Sequence, residues 1–351
     1  MVVNIEEANY SHHRPASGAR PLRRLSVVAP SESADKCITI GIVNNMAGAA
    51  FKATERQFVS LLDTASKDIP IQVFFYMLPG LTRSETGGQH FANHYSSIDA
   101  LLQTQLDGLI VTGREPRMAN LRDEPYWDSF TQVLQWARSN TLSTVWSCLA
   151  AHAAVLHMDG IGRRKSSEKK FGVFECTQVT DHFLTQGLSS PFHVPHSRWN
   201  GVAETDLLDH GYTVLSRIAT QDVDAFVKQH DSLFVFFQGH LEYGSDTLMR
   251  EYRRDVGRFI RGEVDTYPLL PQSYFDSGTE AALTILRDQA IARRGANLVG
   301  AVGNAMDASR FQNRWQSSAV NIYRNWLQFI CERKSESKRE LNGCAICSIS
   351  L

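Results

Sequence analysis

A chain of 351 residues, 43% of them apolar, has ample material for one large core or two smaller ones, and its formal charge of −1 gives no pull toward nucleic acid or anionic membrane. No apolar run approaches the roughly 20 residues needed to span a bilayer, so neither kind of partner is expected. Six cysteines at irregular spacing make no disulfide framework in a chain this long, which points to the reducing cytoplasm.

Residues 1–36 contain His12-His13, Pro15 and a basic stretch from Arg20 to Arg24 but no apolar signal core, and Glu6 and Glu7 argue against a transit peptide. A flexible N-terminal arm is expected there. Residues 37–45 form a nearly continuous apolar strand ending in a polar turn, and residues 52–66 follow with helical spacing through Phe58, Leu61 and Leu62. A second strand is predicted over 71–77, a short helix over 98–106, and a third buried strand over 107–113, closing on Gly113. An amphipathic helix is predicted over 126–139 with Trp127, Phe130, Val133, Leu134 and Trp136, and a fourth strand leads into Cys148. Non-alternating strands separated by helices indicate an α/β fold, a doubly wound, mainly parallel sheet with helices on both faces. Ligand sites in such sheets gather at the carboxyl ends of the strands, where the loops after Asn45, Gly113 and Ser147 meet.

Beyond Gly160 come shorter extended segments at 171–175, 192–195, 212–218, 225–228 and 233–238, which suggest an antiparallel or mixed extension of the sheet. Ser245 or Asp246 can cap a helix running to about Gly262. Helices over 279–294 and 308–334 complete the reading of a single domain over 37–334. A flexible tail over 335–351 ends the chain; its Cys344-Ala-Ile-Cys347 pair lacks the second pair or histidines of a zinc site, and no metal is expected.

The stretch 143–157 carries the chemistry. A strand, a tight turn and an alanine-rich helix place Cys148 at the turn, where a thiol is lifted clear of the sheet beside the unpaired N–H groups of a helix start. A reactive cysteine needs a base. His240 stands at the end of an apolar strand, and Glu242 two residues on can steer its ring. The order Cys, then His-x-Glu at a later strand end, is that of class I glutamine amidotransferase-like enzymes.

Over residues 38–330 the chain resembles one family of that fold, the homoserine O-acyltransferases (O-succinyl- and O-acetyltransferases) of methionine biosynthesis. The resemblance is carried by Asn44-Asn-Met46, Asp107-Gly-Leu-Ile-Val-Thr-Gly113, Tyr126-Trp127, Cys148, Glu168-Lys-Lys-Phe-Gly-Val-Phe174, Pro195-His-Ser-Arg198, Gly239-His-Leu-Glu-Tyr243, Asp246-Thr-Leu248, Glu251-Tyr252, Arg254-Asp255, Pro271-Gln-Ser-Tyr-Phe275 and Asn325-Trp-Leu327. It implies ping-pong acyl transfer: Cys148 takes the acyl group from an acyl-coenzyme A, helped by His240 and Glu242, and passes it to the hydroxyl of homoserine. Backbone N–H groups of Leu149 and about Asn45 would hold the oxyanion. Lys169, Ser197 and Arg254 match substrate-contacting positions, with Arg254 suited to the amino-acid carboxylate. Coenzyme A is expected as a co-substrate, without a resident cofactor. The family is commonly dimeric, although no helix face here identifies a homodimer interface.

The chain departs from the family pattern at several points. Cys148-Leu-Ala-Ala-His152 replaces Cys-Trp-Gly-Ala-Gln, so Ala150 puts a methyl group at the helix entry. Leu241 replaces a proline and is expected to loosen the turn between His240 and Glu242. The first loop carries about two extra residues. Arg117 falls at the position that selects the acyl donor, where a cation favours the free carboxylate of succinyl over acetyl. An acetyl-coenzyme A-dependent enzyme, or transfer to another hydroxy-amino acid such as serine, is the near alternative. A glutamine-hydrolysing subunit and a non-catalytic binding protein are the distant ones.

Overall fold

The computed structural model describes residues 23–24, 37–79, 94–219, 222–309 and 313–347. The expected arm, apart from Arg23 and Arg24, and the last four residues of the expected tail lie outside them. One mixed sheet runs through the described residues. Its strands are β1 (Arg23–Arg24), β2 (Ile38–Val43), β3 (Ile71–Tyr76), β4 (Tyr95–Ser96), β5 (Gly108–Val111), β6 (Ser143–Ser147), β7 (Arg164–Gln178), β8 (Phe192–Gly201), β9 (Thr213–Ile218), β10 (Val223–Gln229) and β11 (Leu233–Phe237). They are ordered β1-β3-β2-β5-β6-β11-β10-β9-β7-β8, with β4 beside β3. The stretch β3-β2-β5-β6-β11 is parallel, and β10, β9, β7 and β8 extend it in antiparallel fashion, the arrangement that the change of pattern after Gly160 predicts.

The parallel strands are apolar on both sides because helices cover both faces. On one face lie α1 (Ala49–Ser66) and α9 (Gln316–Cys347), whose Phe58, Leu62, Tyr323, Trp326 and Ile330 pack on Ile40, Ile42 and Val145. On the other lie α2 (Ile98–Leu102), α3 (Trp127–Asn140) and α4 (Leu149–Asp159), bringing Leu101, Phe130 and Val155 onto Val43, Leu109 and Trp146. Burying each such large side chain contributes about 1.5–3 kcal/mol. Trp326 also donates from Nε1 to Ser143 Oγ at 2.9 Å, fixing α9 across the start of β6. The short α5 (Glu204–Asp209) precedes β9. A third core joins α6 (Thr247–Ile260), α7 (Ser277–Ala292) and α8 (Asn297–Asp307) to Phe171 and Val173 of β7.

Two features differ from the sequence reading. The final helix, expected over 308–334, begins at Gln316 and runs to Cys347 into the expected tail, and a helix that the sequence reading lacked, α8, covers Asn297–Asp307. Its buried Leu298, Val302 and Met306 recur every fourth residue, but Gly300 and Gly303 lower its helical propensity and hide the period. The helix predicted over 98–106 stops at Leu102, where Gln103 caps it.

Candidate active site

The strand ends bring the expected residues to one edge. At the end of β6, Cys148 has φ 53° and ψ −113°, a left-handed conformation that costs a non-glycine residue about 1–3 kcal/mol. The surroundings enforce it. The Cys148 N–H donates to Phe237 O on the neighbouring strand at 2.7 Å, and its carbonyl accepts from Ala151 and His152 at 3.0 and 3.3 Å as α4 begins. The side chain is half-buried, a free thiol at a strand-to-helix turn. Leu149 takes the first helical position, where an N–H has no carbonyl of its own helix to meet.

His240 follows the end of β11. A Cβ at Gly239 would lie 2.4 Å from Val194 Cγ1 and 3.0 Å from both Asp224 Oδ1 and His196 Cε1, so only glycine lets the strand end press against β8 and β10. The His240 N–H then donates to Pro195 O at 2.8 Å. Its Nδ1 is 2.8 Å from Glu242 Oε1. Leu241, expected to loosen this turn, is 4% exposed and packed in the core behind it, and the turn closes with Tyr243 N–H on His240 O at 3.3 Å. Apolar anchoring takes the place of the proline. Burial works against a charged imidazole here, yet Cys148, within hydrogen-bonding reach, and Glu242 prevail and raise the His240 pKa well above its ordinary value.

The substrate-contacting candidates assemble around α6. Ser197 Oγ donates to Glu251 Oε2 at 2.6 Å, and Tyr243 OH donates to the other oxygen of Glu251 at 2.5 Å. The Tyr243 ring stacks on His240, with centroids 4.2 Å apart and planes 16° apart. One and two positions beyond the next half-turn, Asp255 receives Arg254 Nε at 2.8 Å and stands 3.8 Å from Lys169 Nζ. Arg254 is 54% exposed. Lys169, Ser197 and Arg254 are thus brought together on one helix face. Glu251, Tyr243 and Asp255 help to carry the resemblance but have no chemical role in the sequence reading, although the spacing 251, 254, 255 already puts three charges on one face of a helix.

Asn45 is 2% exposed, and its N–H, expected to face an oxyanion, donates to Thr112 Oγ1 at 2.8 Å. Arg117 is exposed; its N–H and that of Met118 donate to the buried Glu124 Oε1 at 2.6 and 2.8 Å, which fixes the turn of the loop. His152, in place of the family's glutamine, is 3% exposed, with Nε2 2.8 Å from Gln238 Oε1. Gln238 Nε2 donates to Val223 O at 2.6 Å, so the amide oxygen faces His152 and the ring N–H is the donor. That bond ties α4, which starts directly after Cys148, to the strand end that carries His240.

Beneath this edge the donor atoms of Cys176, His196 and Asp224 lie within 4.8 Å of one another. They suit a metal ion poorly, because Arg198 is also there: its Nε donates to His196 Nδ1 at 3.2 Å, and the guanidinium balances Asp224. No described helix is long and apolar enough to cross a membrane.

The profile of a family described as homoserine O-succinyltransferase matches residues 25–337. The homoserine O-succinyltransferase of Rhodopseudomonas palustris is 45% identical over 295 residues, 84% of this chain and 89% of that protein. The one from Bradyrhizobium japonicum is 43% identical over 84% of this chain and 90% of its own length. Among solved structures, a glutamine amidotransferase of Methylobacillus flagellatus aligns with 84% of this chain and 95% of its own at 16% identity, with a TM-score of 0.46. With its cysteine, histidine and glutamate assembled at one sheet edge, the chain is an acyltransferase and belongs to the homoserine O-succinyltransferase family.

Proposed function

We propose that this enzyme transfers a succinyl group from succinyl-coenzyme A to the hydroxyl of L-homoserine in two half-reactions through Cys148. The observation that carries this reading is the strained Cys148 turn beside an imidazole that Glu242 holds at 2.8 Å. In the first half, the Cys148 proton goes to His240 and the sulfur attacks the thioester carbonyl. The Leu149 N–H stabilises the oxyanion, joined by the Asn45 N–H once it leaves Thr112 Oγ1. Collapse of this adduct breaks the carbonyl–sulfur bond of the donor, and coenzyme A leaves with the proton from His240. In the second half, neutral His240 removes the hydroxyl proton of homoserine, the alkoxide takes the acyl group, and the proton returns to the Cys148 sulfur. Arg254 binds the homoserine carboxylate through its guanidinium, while Lys169 and Ser197 supply polar contacts. The family's donor-selecting position falls on Arg117, which puts that choice in the loop 114–118. Coenzyme A enters and leaves as a substrate, and the chemistry calls for no resident cofactor.

The test is intact-mass analysis of the protein mixed with succinyl- or acetyl-coenzyme A, without acceptor, beside a Cys148→Ala variant. A gain of one succinyl group on the unmodified protein alone, discharged on adding homoserine, is the expected result. A protein that turns over substrate with no adduct at Cys148 would overturn the two-step route.

A further inference from the structure

Beneath the strand ends, three buried side chains with no part in the acyl-transfer route form a line of charge. The guanidinium of Arg198, on β8, is held on three sides: Nε donates to His196 Nδ1 at 3.2 Å, Nη1 to Asn200 O at 2.8 Å and Nη2 to Val223 O at 3.5 Å. Because His196 Nδ1 accepts, the ring proton sits on Nε2, which stands 3.2 Å from Asp224 Oδ1. Asp224 Oδ2 accepts from Ser216 Oγ at 2.8 Å, and the Asp224 carbonyl accepts from the Gln238 N–H at 2.8 Å. Burial lowers the His196 pKa, so the ring between the two charges is neutral. This line passes directly under the residue before His240, since His196 and Asp224 are the groups that a Cβ on Gly239 would crowd. A Cβ on Gly201 would likewise stand 2.8 Å from Arg198 Nη1 and 3.5 Å from Gln238 Oε1. Burial lowers the Arg198 pKa, while the charges of Asp222, Cys148, Asp224 and Cys176, in that order, act the other way.

We infer that Arg198 and Asp224 are opposed positioning residues for the Cys148–His240 pair: the buried guanidinium favours the thiolate, and the carboxylate across His196 opposes it. The inference rests on the acyl-transfer route proposed above, whose first step moves the Cys148 proton to His240 and leaves a thiolate beside an imidazolium. A fixed cation in the low-dielectric interior acts on that thiolate without any reorganisation of solvent. Asp224 makes the buried cation tenable. The imidazole of His196 keeps the two charges out of contact, so their fields do not cancel at the sheet edge. The groups whose charges act with that of Cys148 include His240, Tyr243 and Arg198. Tyr243 stays neutral because its pKa is pushed well up, whereas Arg198 is a permanent cation. Around Arg198 itself, Asp222 is met by Lys170 at 3.1 Å, and burial keeps Cys176 protonated and His152 neutral.

The rate of iodoacetamide alkylation against pH, followed at the Cys148 peptide by mass spectrometry, reads thiolate formation without any acyl donor. Arg198→Gln, which keeps a donor for His196, should move the rising limb of that profile up by about 1 pH unit. Asp224→Asn should move it down by about 0.5 unit, and the double variant should fall between the two. Disturbed packing alone would shift both single variants the same way, so the opposite signs are the signature of charge. Limbs that move together, or that stay where they are, would overturn the assignment. Should Arg198→Gln fail to fold with Asp224 left unbalanced, the step from Asp224→Asn to the double variant reads the same guanidinium, and a limb that does not rise across that step overturns the assignment equally. Limbs that move as expected in a protein that gains no acyl group from succinyl- or acetyl-coenzyme A would support the charge assignment while overturning the acyl-transfer route.

Discussion

A Cβ on Gly113 would stand 2.7 Å from the nitrogen of Leu149 and 3.0 Å from the carbonyl oxygen of Ser147, so the end of β5 and the Cys148 turn meet backbone to backbone. Neither neighbour is a flexible side-chain end, and the contact leaves no room for a methyl group. Gly113→Ala should therefore push the Leu149 N–H out of line with the oxyanion. Loss of one such donor typically lowers kcat by about 10²- to 10³-fold, and the crowding should cost about 1–3 kcal/mol of stability. Acylation kinetics and a melting curve measure both; a variant that folds and turns over normally would show that the donor lies elsewhere.

The His152–Gln238 bond predicts a stability loss on acidification. Burial holds the His152 pKa down to about 4, with the Gln238 hydrogen bond opposing. An unfolded chain protonates this histidine near 6.5 and the folded one does not, so its contribution is complete above about pH 6.5 and declines toward pH 4. The span of roughly 2.5 pH units corresponds to about 3 kcal/mol. Denaturant unfolding between pH 7 and 4 should show this slope, and His152→Gln should flatten it. Equal slopes in the two proteins would assign the acid sensitivity to other groups, His196 among them, whose pKa burial also lowers.

Glu242 acts on the proton of His240, and its removal has a definite sign. After Cys148, Glu242 is the charge that raises the His240 pKa against burial. In Glu242→Gln the imidazole should lose its proton at lower pH, so the basic form that accepts the homoserine proton becomes available earlier. Discharge of the acyl-enzyme should shift its rising pH limb downward while its plateau falls about 10²-fold or more through lost orientation. A lower plateau on an unmoved limb would leave Glu242 an orienting role alone.

The sequence made Cys148, His240 and Glu242 legible because each stands at the end of an apolar strand, where a parallel sheet exposes side chains. It could not show what reaches them from afar. Glu251 reads as one more charge on an amphipathic helix, yet it closes on Ser197, 54 positions away. Leu241 reads as a defect until the core behind the turn is seen to hold it. The Asn45 N–H, a plausible oxyanion donor from position alone, is engaged by a threonine on the adjacent strand end. Local chemistry follows from residue type and strand register, whereas pairing across the fold depends on how β7, β8 and α6 pack.

Glu251 offers the sharpest test of that packing. Its two oxygens accept from Ser197 and Tyr243, and Tyr243 carries the ring stacked on His240. Burial and the Glu251 charge push the Tyr243 pKa well up, so the phenol remains a donor throughout the working pH range. In Glu251→Gln one hydroxyl must turn from donor to acceptor of an amide N–H, and a neutral bond replaces a charge-assisted one, a loss of about 1 kcal/mol that loosens the stack. Transfer to homoserine should slow by about 10-fold, with a broadened pH profile as the ring beside His240 loses its fixed place. Tyr243→Phe should produce the same change by removing the other end of the bond. The double variant should then be no slower than Glu251→Gln alone, because both substitutions break one linkage. Additive losses in the double variant would mean that Glu251 and Tyr243 serve the reaction by separate routes.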